Sequence, residues 1–156
     1  MMIRDDFMRQ VDLDELTYQV FTGLRSWTWA TRKRVFAPVS SRRDASVEIA
    51  LDGLRLSLST WQFIDPATPA VTVPVADVVR GLIPVIKAFP GAIPALWMSG
   101  QRQREREAQA AAAILLTEAL HPFEILSSVS LVQFGARVVF FRMPEAPAYA
   151  FAPRWP

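Results

Sequence analysis

The clearest hydrophobic pattern in the chain surrounds an Asp52-Gly53 pair. Apolar residues take every second position on both sides of this pair: Val47, Ile49, Leu51, Leu54, Leu56 and Leu58. Alternation with period two is typical of a half-buried strand. Asp-Gly is a favoured pair for a two-residue turn, in which both central residues need a positive φ. The pattern therefore predicts a β-hairpin over residues 47–58.

Two further segments have the composition of strands. Residues 27–36 are rich in β-branched and aromatic side chains, with two tryptophans and Val35 on one face at period two, and Pro38 follows them. Residues 129–141 predict a second hairpin with its turn at Phe134-Gly135. The second strand of that hairpin is apolar on both faces, which predicts a central place in the sheet.

The acids at the start of residues 12–22 predict a helix there. Asp12 is a typical N-cap, Glu15 stands at the capping-box position, and Asp14 adds a third negative charge near the positive end of the helix dipole. This placement explains the three acids without a metal site. Gly23 is suited to a left-handed position that ends the helix.

Two later segments predict helices that Pro or Gly would modify. Residues 75–90 carry apolar side chains at helical spacing, but Pro84 removes an internal hydrogen bond, so we expect a kink or two short helices. Residues 99–121 predict a long helix whose alanine-rich half is suited to close packing. Arginines near its amino end oppose the helix dipole, so the helix is expected to begin earlier, with Pro94 in its first turn and Gly100 inside.

Together these elements predict an α+β fold. A mostly antiparallel sheet of four to five strands would come from the two hairpins and the strand over residues 27–36, and two or three helices would cover it. This single domain is expected to span residues 1–143. An extended arm rich in Pro and aromatic residues would follow over residues 144–156.

The chain has few groups that could carry out a reaction. Its 156 residues include no Cys and one His, and 51% of them are apolar. Most enzymes need groups that move protons, hold a metal or attack a carbonyl. His121 lies before Pro122 at the expected end of a helix, where a cation is favoured. No glycine motif for phosphate binding is present. We therefore expect no enzymatic activity, no bound metal and no cofactor.

The charge is unevenly distributed although its net value is only +2. Residues 21–43 contain no acid, and their basic side chains alternate with aromatic ones. Phosphate pairing with Arg and base stacking on aromatic rings hold single-stranded nucleic acid. An alternative interpretation places the aromatic rings in the core and the basic side chains on a solvated strand edge. The candidate contacts to nucleic acid or another anion are Arg32, Lys33, Arg34, Arg42 and Arg43.

Two other segments are candidates for binding a protein partner. Aromatic residues in the arm resemble the Trp and Tyr anchors of interfaces, and the arm would dock either on its own domain or on a neighbour. The arginines near the start of the 99–121 helix would dock an acidic partner or form a solvated helix face. The candidate partner-binding residues are Tyr149, Phe151, Arg154, Trp155, Arg102, Arg104 and Arg106.

These observations favour a non-enzymatic structural subunit of a larger protein complex, with a phage head–tail or tail component as the natural example. Its partners would be other protein subunits. The alternatives are a small cytoplasmic binding protein of the immunity or adaptor type, and a protein that contacts nucleic acid through residues 21–43. The amino terminus lacks the pattern of a cleavable export signal, and no apolar run reaches the roughly 20 residues that span a bilayer, so we expect a cytoplasmic or virion location. Two lysines and no asparagine indicate a GC-rich genome.

Overall fold

The structure is a computed structural model that describes residues 9–37 and 41–127, and for residues 41–44 it describes the backbone alone. The strands in these ranges are β1 (Arg9–Gln10), β2 (Trp61–Ile64), β3 (Thr72–Val73) and β4 (Glu124–Ser127). The helices are α1 (Leu13–Gly23), a 3-10 turn (Leu24–Ser26), α2 (Trp29–Val35), α3 (Ser41–Leu58), α4 (Val75–Arg80), α5 (Ile83–Lys87), α6 (Ala92–Trp97) and α7 (Arg102–Leu120).

The four strands form one antiparallel sheet in the order β1-β4-β2-β3. β4 pairs with β2 from Trp61 opposite Ser127 to Ile64 opposite Glu124, and it pairs with β1 on its other side. This mixture of helices and an antiparallel sheet confirms the α+β class. The predicted hairpin over residues 129–141, the arm over 144–156 and the domain boundary between them lie outside the described residues.

Helix α7 is the centre of the helical layer. All four alanines from Ala110 to Ala113 are fully buried, together with Ala108, Leu116 and Leu120. Small side chains let α1 and α6 approach the helix closely, and Gln109 Nε2 donates a hydrogen bond of 2.8 Å to the Phe21 carbonyl. The close packing predicted for this segment is thus present around most of the helix.

The predicted early start of α7 is wrong. Gly100 has a φ of +77°, which a glycine adopts readily and which breaks a right-handed helix. The chain therefore forms two helices: α6 holds Pro94, and α7 begins only at Arg102. His121 follows directly after α7 and is exposed, as predicted for the end of this helix.

The predicted hairpin over residues 47–58 is also wrong, because this segment lies within α3. Val47, Leu51, Leu54 and Leu58 are spaced by four, three and four residues, which is the spacing of one helix face, and all four are buried. Gly53 is not in a turn. It faces Ser26 and the Gly23 carbonyl, where a Cβ would meet Ser26 Cβ at 2.8 Å and the carbonyl oxygen at 3.1 Å. The glycine therefore permits α3 to cross α1 and the 3-10 turn at short distance.

The strand predicted over residues 27–36 is a helix as well. Thr28 caps α2, because its Oγ1 accepts a hydrogen bond of 3.3 Å from the Thr31 amide. Trp27 and Val35 are buried whereas Trp29 is exposed, so these three side chains do not share one face. Both overturned segments contain apolar residues that fit either period, and packing decides in favour of the helix: α2 packs against α3, and α3 packs against α1 and α2.

Helix α1 begins as predicted. Asp12 is its N-cap and accepts a hydrogen bond of 2.8 Å from the Glu15 amide. The Glu15 side chain does not close the capping box, because both of its oxygens pair with the Arg9 guanidinium at 2.5 and 2.6 Å. That buried pair ties β1 to α1. Gly23 has a right-handed φ of −62°, so the predicted left-handed end is wrong and the chain continues into the 3-10 turn.

The region over residues 75–90 forms two short helices, as predicted. Pro84 lies in the first turn of α5, where a missing backbone N–H costs no hydrogen bond. The buried stripe includes Val78, Val79, Leu82 and Ile86. Among the described helices, none is long and apolar enough to cross a membrane.

Candidate interaction surfaces

The outer face of α3 carries two large aliphatic side chains that are mostly exposed. Ile49 is 69% exposed and Leu56 is 65% exposed. Positions seven apart differ by about 20° around a helix, so both side chains point the same way. The exposed Ala45 lies on the same side, one turn before Ile49, and differs in direction by about 20° from Leu56 and about 40° from Ile49. We call these three residues the α3 stripe.

One side of the α3 stripe is bordered by charged residues. Glu48, Asp52 and Arg55 are exposed there, and Arg55 Nε lies 3.8 Å from Asp52 Oδ1. The same three side chains line an open cleft of about 250 Å³ between α3 and α4, together with Leu51, Ala76, Val79 and Arg80. This cleft has both signs of charge, and its apolar floor belongs to the core.

The basic residues predicted over residues 21–43 differ in exposure, and Arg32 is mostly buried. The Arg32 side chain is only 12% exposed and lies 3.5 Å from Glu105 on α7. Its guanidinium also donates to the Trp27 carbonyl at 3.3 Å and stacks over Trp97, 5.9 Å from the ring centroid. Glu105 in turn accepts a hydrogen bond of 3.1 Å from the Gly100 amide. Arg32 therefore joins α2 to the start of α7 and is not a free surface cation.

The exposed part of the basic segment is centred on Trp29. This ring is 51% exposed, and Lys33 Nζ lies 5.2 Å from its centroid. Arg34, the next residue, is exposed about 100° further around α2, and Arg25 is exposed in the 3-10 turn, over the ring of Phe21. We call Trp29, Lys33 and Arg34 the Trp29 face. Arg42 and Arg43 lie in the first turn of α3, and their side chains are outside the described part of the structure.

The other aromatic rings of this segment belong to the core. Trp27 stacks on Trp97 with the ring centroids 5.4 Å apart and the planes 16° apart. Phe36 packs against both of these rings, and Phe21 is buried. The interpretation that places the aromatic rings in the core is thus correct for all of them except Trp29.

The three arginines at the start of α7 are exposed but do not form one patch. Arg102 and Arg106 lie one turn apart on the same side, whereas Arg104 points to the opposite side of the helix. Glu105, between them, faces inward to Arg32. The other predicted partner-binding residues lie outside the described residues: Tyr149, Phe151, Arg154 and Trp155.

A second cleft of about 370 Å³ lies where β1, the start of α1 and the end of α7 meet. Its walls are mostly apolar, and its polar members are Gln10, Asp12 and His121. Asp12 caps α1, and His121 follows the last residue of α7. Within residues 9–37 and 41–127 no three His, Asp or Glu side chains form a group that could hold a metal ion.

Comparison with known protein families, curated proteins and solved structures gave no match. The surfaces are therefore interpreted from their own geometry. The α3 stripe was missed from the sequence because Ile49 and Leu56 were assigned to buried strand positions. A signal was available: Val47, Leu51, Leu54 and Leu58 complete one helix face without them.

Proposed function

We propose that this protein is a non-enzymatic assembly subunit that binds other protein subunits through the outer face of α3. A phage head–tail or tail component is the kind of protein we have in mind. The observation that carries the proposal is the exposure of Ile49 and Leu56 in one line on an 18-residue helix. Each square ångström of apolar surface removed from water contributes roughly 25 cal/mol, so covering these side chains favours association.

The shape and chemistry of this face suit a protein partner. Single exposed apolar residues are ordinary on a protein surface. Two aliphatic side chains seven residues apart, however, occupy the i and i+7 positions through which an amphipathic helix binds an apolar groove on a partner. Glu48, Asp52 and Arg55 supply a polar rim along the same line. An apolar centre with a charged border is the usual anatomy of a protein interface.

The proposal is tested by the mass of the native particle isolated from the cells that make the protein. The chain alone has a mass of 17.5 kDa. We expect a larger particle for the unaltered protein, and free chain when Ile49→Glu and Leu56→Glu are combined. A 1:1 complex with one different protein would favour the immunity or adaptor alternative.

The matched control combines Gln62→Glu and Ala95→Glu, which change the charge by the same amount at exposed positions elsewhere. We expect this control to keep the particle. If the α3 double variant also keeps the full particle, or if the unaltered protein is isolated as a free chain, the proposal is wrong.

Contact with nucleic acid is the second candidate, and the Trp29 face favours it. A half-exposed indole offers a stacking surface, and Lys33 beside it and Arg34 on the adjoining side of α2 offer charges for phosphate. Arg32 contributes nothing to this face because it is paired with Glu105. The candidate contacts in the described residues thus reduce to Trp29, Lys33 and Arg34.

The combined substitutions Lys33→Glu and Arg34→Glu are expected to weaken retention on single-stranded DNA cellulose strongly. The dependence of binding on salt would then fall by about 0.7 per lost cation on a logarithmic scale. Arg102→Glu with Arg106→Glu changes the net charge equally on α7 and is expected to leave retention unchanged. Equal losses in both variants would indicate attraction by net charge alone and would overturn this candidate.

A further inference from the structure

The charges beside the α3 stripe are ordered along the helix. The two acids, Glu48 and Asp52, come first, and Arg55 follows on the same side. The two apolar members Ile49 and Leu56 are placed symmetrically about the point midway between Asp52 and Gly53. A face with one sign of charge on each side of its centre can be complementary to an inverted copy of itself.

We propose that the partner of the α3 stripe is a second copy of this chain, packed antiparallel about a two-fold axis midway between Asp52 and Gly53. This inference rests on the proposed function, since it names the partner of the same face. The axis places Ile49 of each copy against Leu56 of the other. Two identical apolar layers therefore form at the centre of the contact.

The same axis brings opposite charges together. Arg55 of the second copy comes level with Ala50 of the first copy. Ala50 is two residues from Glu48 and two residues from Asp52. Arg55 of the second copy is therefore offset from each acid by about 3 Å along the helix axis. The two-fold operation keeps the charged borders of both copies on the same side of the pair. Each guanidinium thus faces two carboxylates of the other copy. The two Asp52 carboxylates, which lie nearest the axis, are placed between the two guanidinium groups along the helices.

A parallel arrangement does not offer this pairing. Two parallel helices related by a two-fold axis along their length would carry their charged borders on opposite sides, so Arg55 would lack the acids of the other copy. Charge complementarity therefore selects the antiparallel pair. One helix face per copy is small beside the roughly 800 Å² per partner of a standard interface, so the charge pairs at its border are expected to make a measurable difference to the affinity.

The test uses two oppositely altered variants of the full chain in sedimentation equilibrium. One variant carries Arg55→Glu, and the other carries Glu48→Lys with Asp52→Lys. Each alone places like charges across the axis, and we expect its dimer to be weaker than that of the unaltered chain by about tenfold or more. Mixed in equal amounts, the two variants are complementary again, and a dimer containing one of each is expected to return.

A cross-link gives an independent readout, because the unaltered chain has no cysteine. Asp52→Cys lies next to the axis, so oxidation is expected to join two copies into a covalent dimer. Glu118→Cys on the exposed side of α7 is the control and is expected to form no covalent dimer.

The inference is overturned if the unaltered chain stays monomeric up to its solubility limit. It is also overturned if the mixed variants do not associate more strongly than either one alone, or if both cysteine variants cross-link equally. These outcomes would overturn the dimer without overturning the proposed function. If the purified chain is monomeric while Ile49→Glu with Leu56→Glu still breaks the native particle, the face binds a different protein, and only the identity of the partner is wrong.

Discussion

Replacing Trp97 with alanine is expected to lower the free energy of unfolding by about 3–5 kcal/mol. This ring is fully buried, stacks on Trp27 and touches Phe36, 5.8 Å away between centroids. Arg32 also lies over it, so its loss leaves a cavity beneath a guanidinium that holds α2 to α7. Denaturant unfolding followed by far-ultraviolet circular dichroism measures the effect.

Trp29→Ala is the matched control for this experiment. The same side chain is removed, but from a ring that is half exposed on the outer side of α2. A change within about 0.5 kcal/mol is expected, as for most surface substitutions. Equal losses for the two tryptophans would contradict the assignment of Trp97 to the core and Trp29 to the surface.

Gly53→Ala is expected to destabilise the protein by about 1–3 kcal/mol, although alanine is the better helix former. A Cβ at this position collides with Ser26, so α3 would have to move away from α1 and the 3-10 turn. The free energy of unfolding of Gly53→Ala, measured by denaturant titration, gives the cost. Combining Gly53→Ala with Ser26→Gly is expected to recover part of it, and a double-mutant cycle isolates that coupling.

Gly91→Ala is the control with the opposite expected sign. Nothing lies within 4 Å of a Cβ at Gly91, and its φ of −57° suits any residue. The substitution is therefore expected to stabilise the protein by about 0.4–1 kcal/mol, because alanine lowers the conformational entropy of the unfolded chain. If Gly53→Ala is as harmless as Gly91→Ala, the close helix crossing does not exist.

The elements that were predicted correctly are those with local signals. The Asp12 cap starts α1 through one hydrogen bond to Glu15, three residues away. Pro84 limits α5 by its own covalent geometry, and His121 marks the end of α7. Each of these three signals acts within one helical turn, and the surrounding fold agrees with it.

The segments that were predicted wrongly carry two patterns at once. Residues 47–58 fit period two with six apolar positions, yet four of those positions also fit one face of a helix. The choice depends on what the segment packs against. Gly53 opposite Ser26 gives α3 a close crossing that no local rule encodes, because the two residues are 27 positions apart.

The candidate surfaces could be predicted only in part. A basic segment with aromatic residues was evident from the sequence, but the role of Arg32 depends on Glu105, which is 73 residues away. The α3 stripe follows from the helix itself: once residues 41–58 are helical, Ile49 and Leu56 are left outside the core. Because residues 47–58 were predicted as strands, the exposure of the α3 stripe could not be predicted.

Both proposals for α3 depend on residues 45–58 forming one uninterrupted helix, and Cα chemical shifts in solution test this most directly. The account requires helical shifts at every position from Ala45 to Leu58, with no break at Asp52-Gly53. Extended shifts on both sides of a break at that pair would show a hairpin. Ile49 would then lie on the same strand face as Val47 and Leu51, and the proposed interface would not exist.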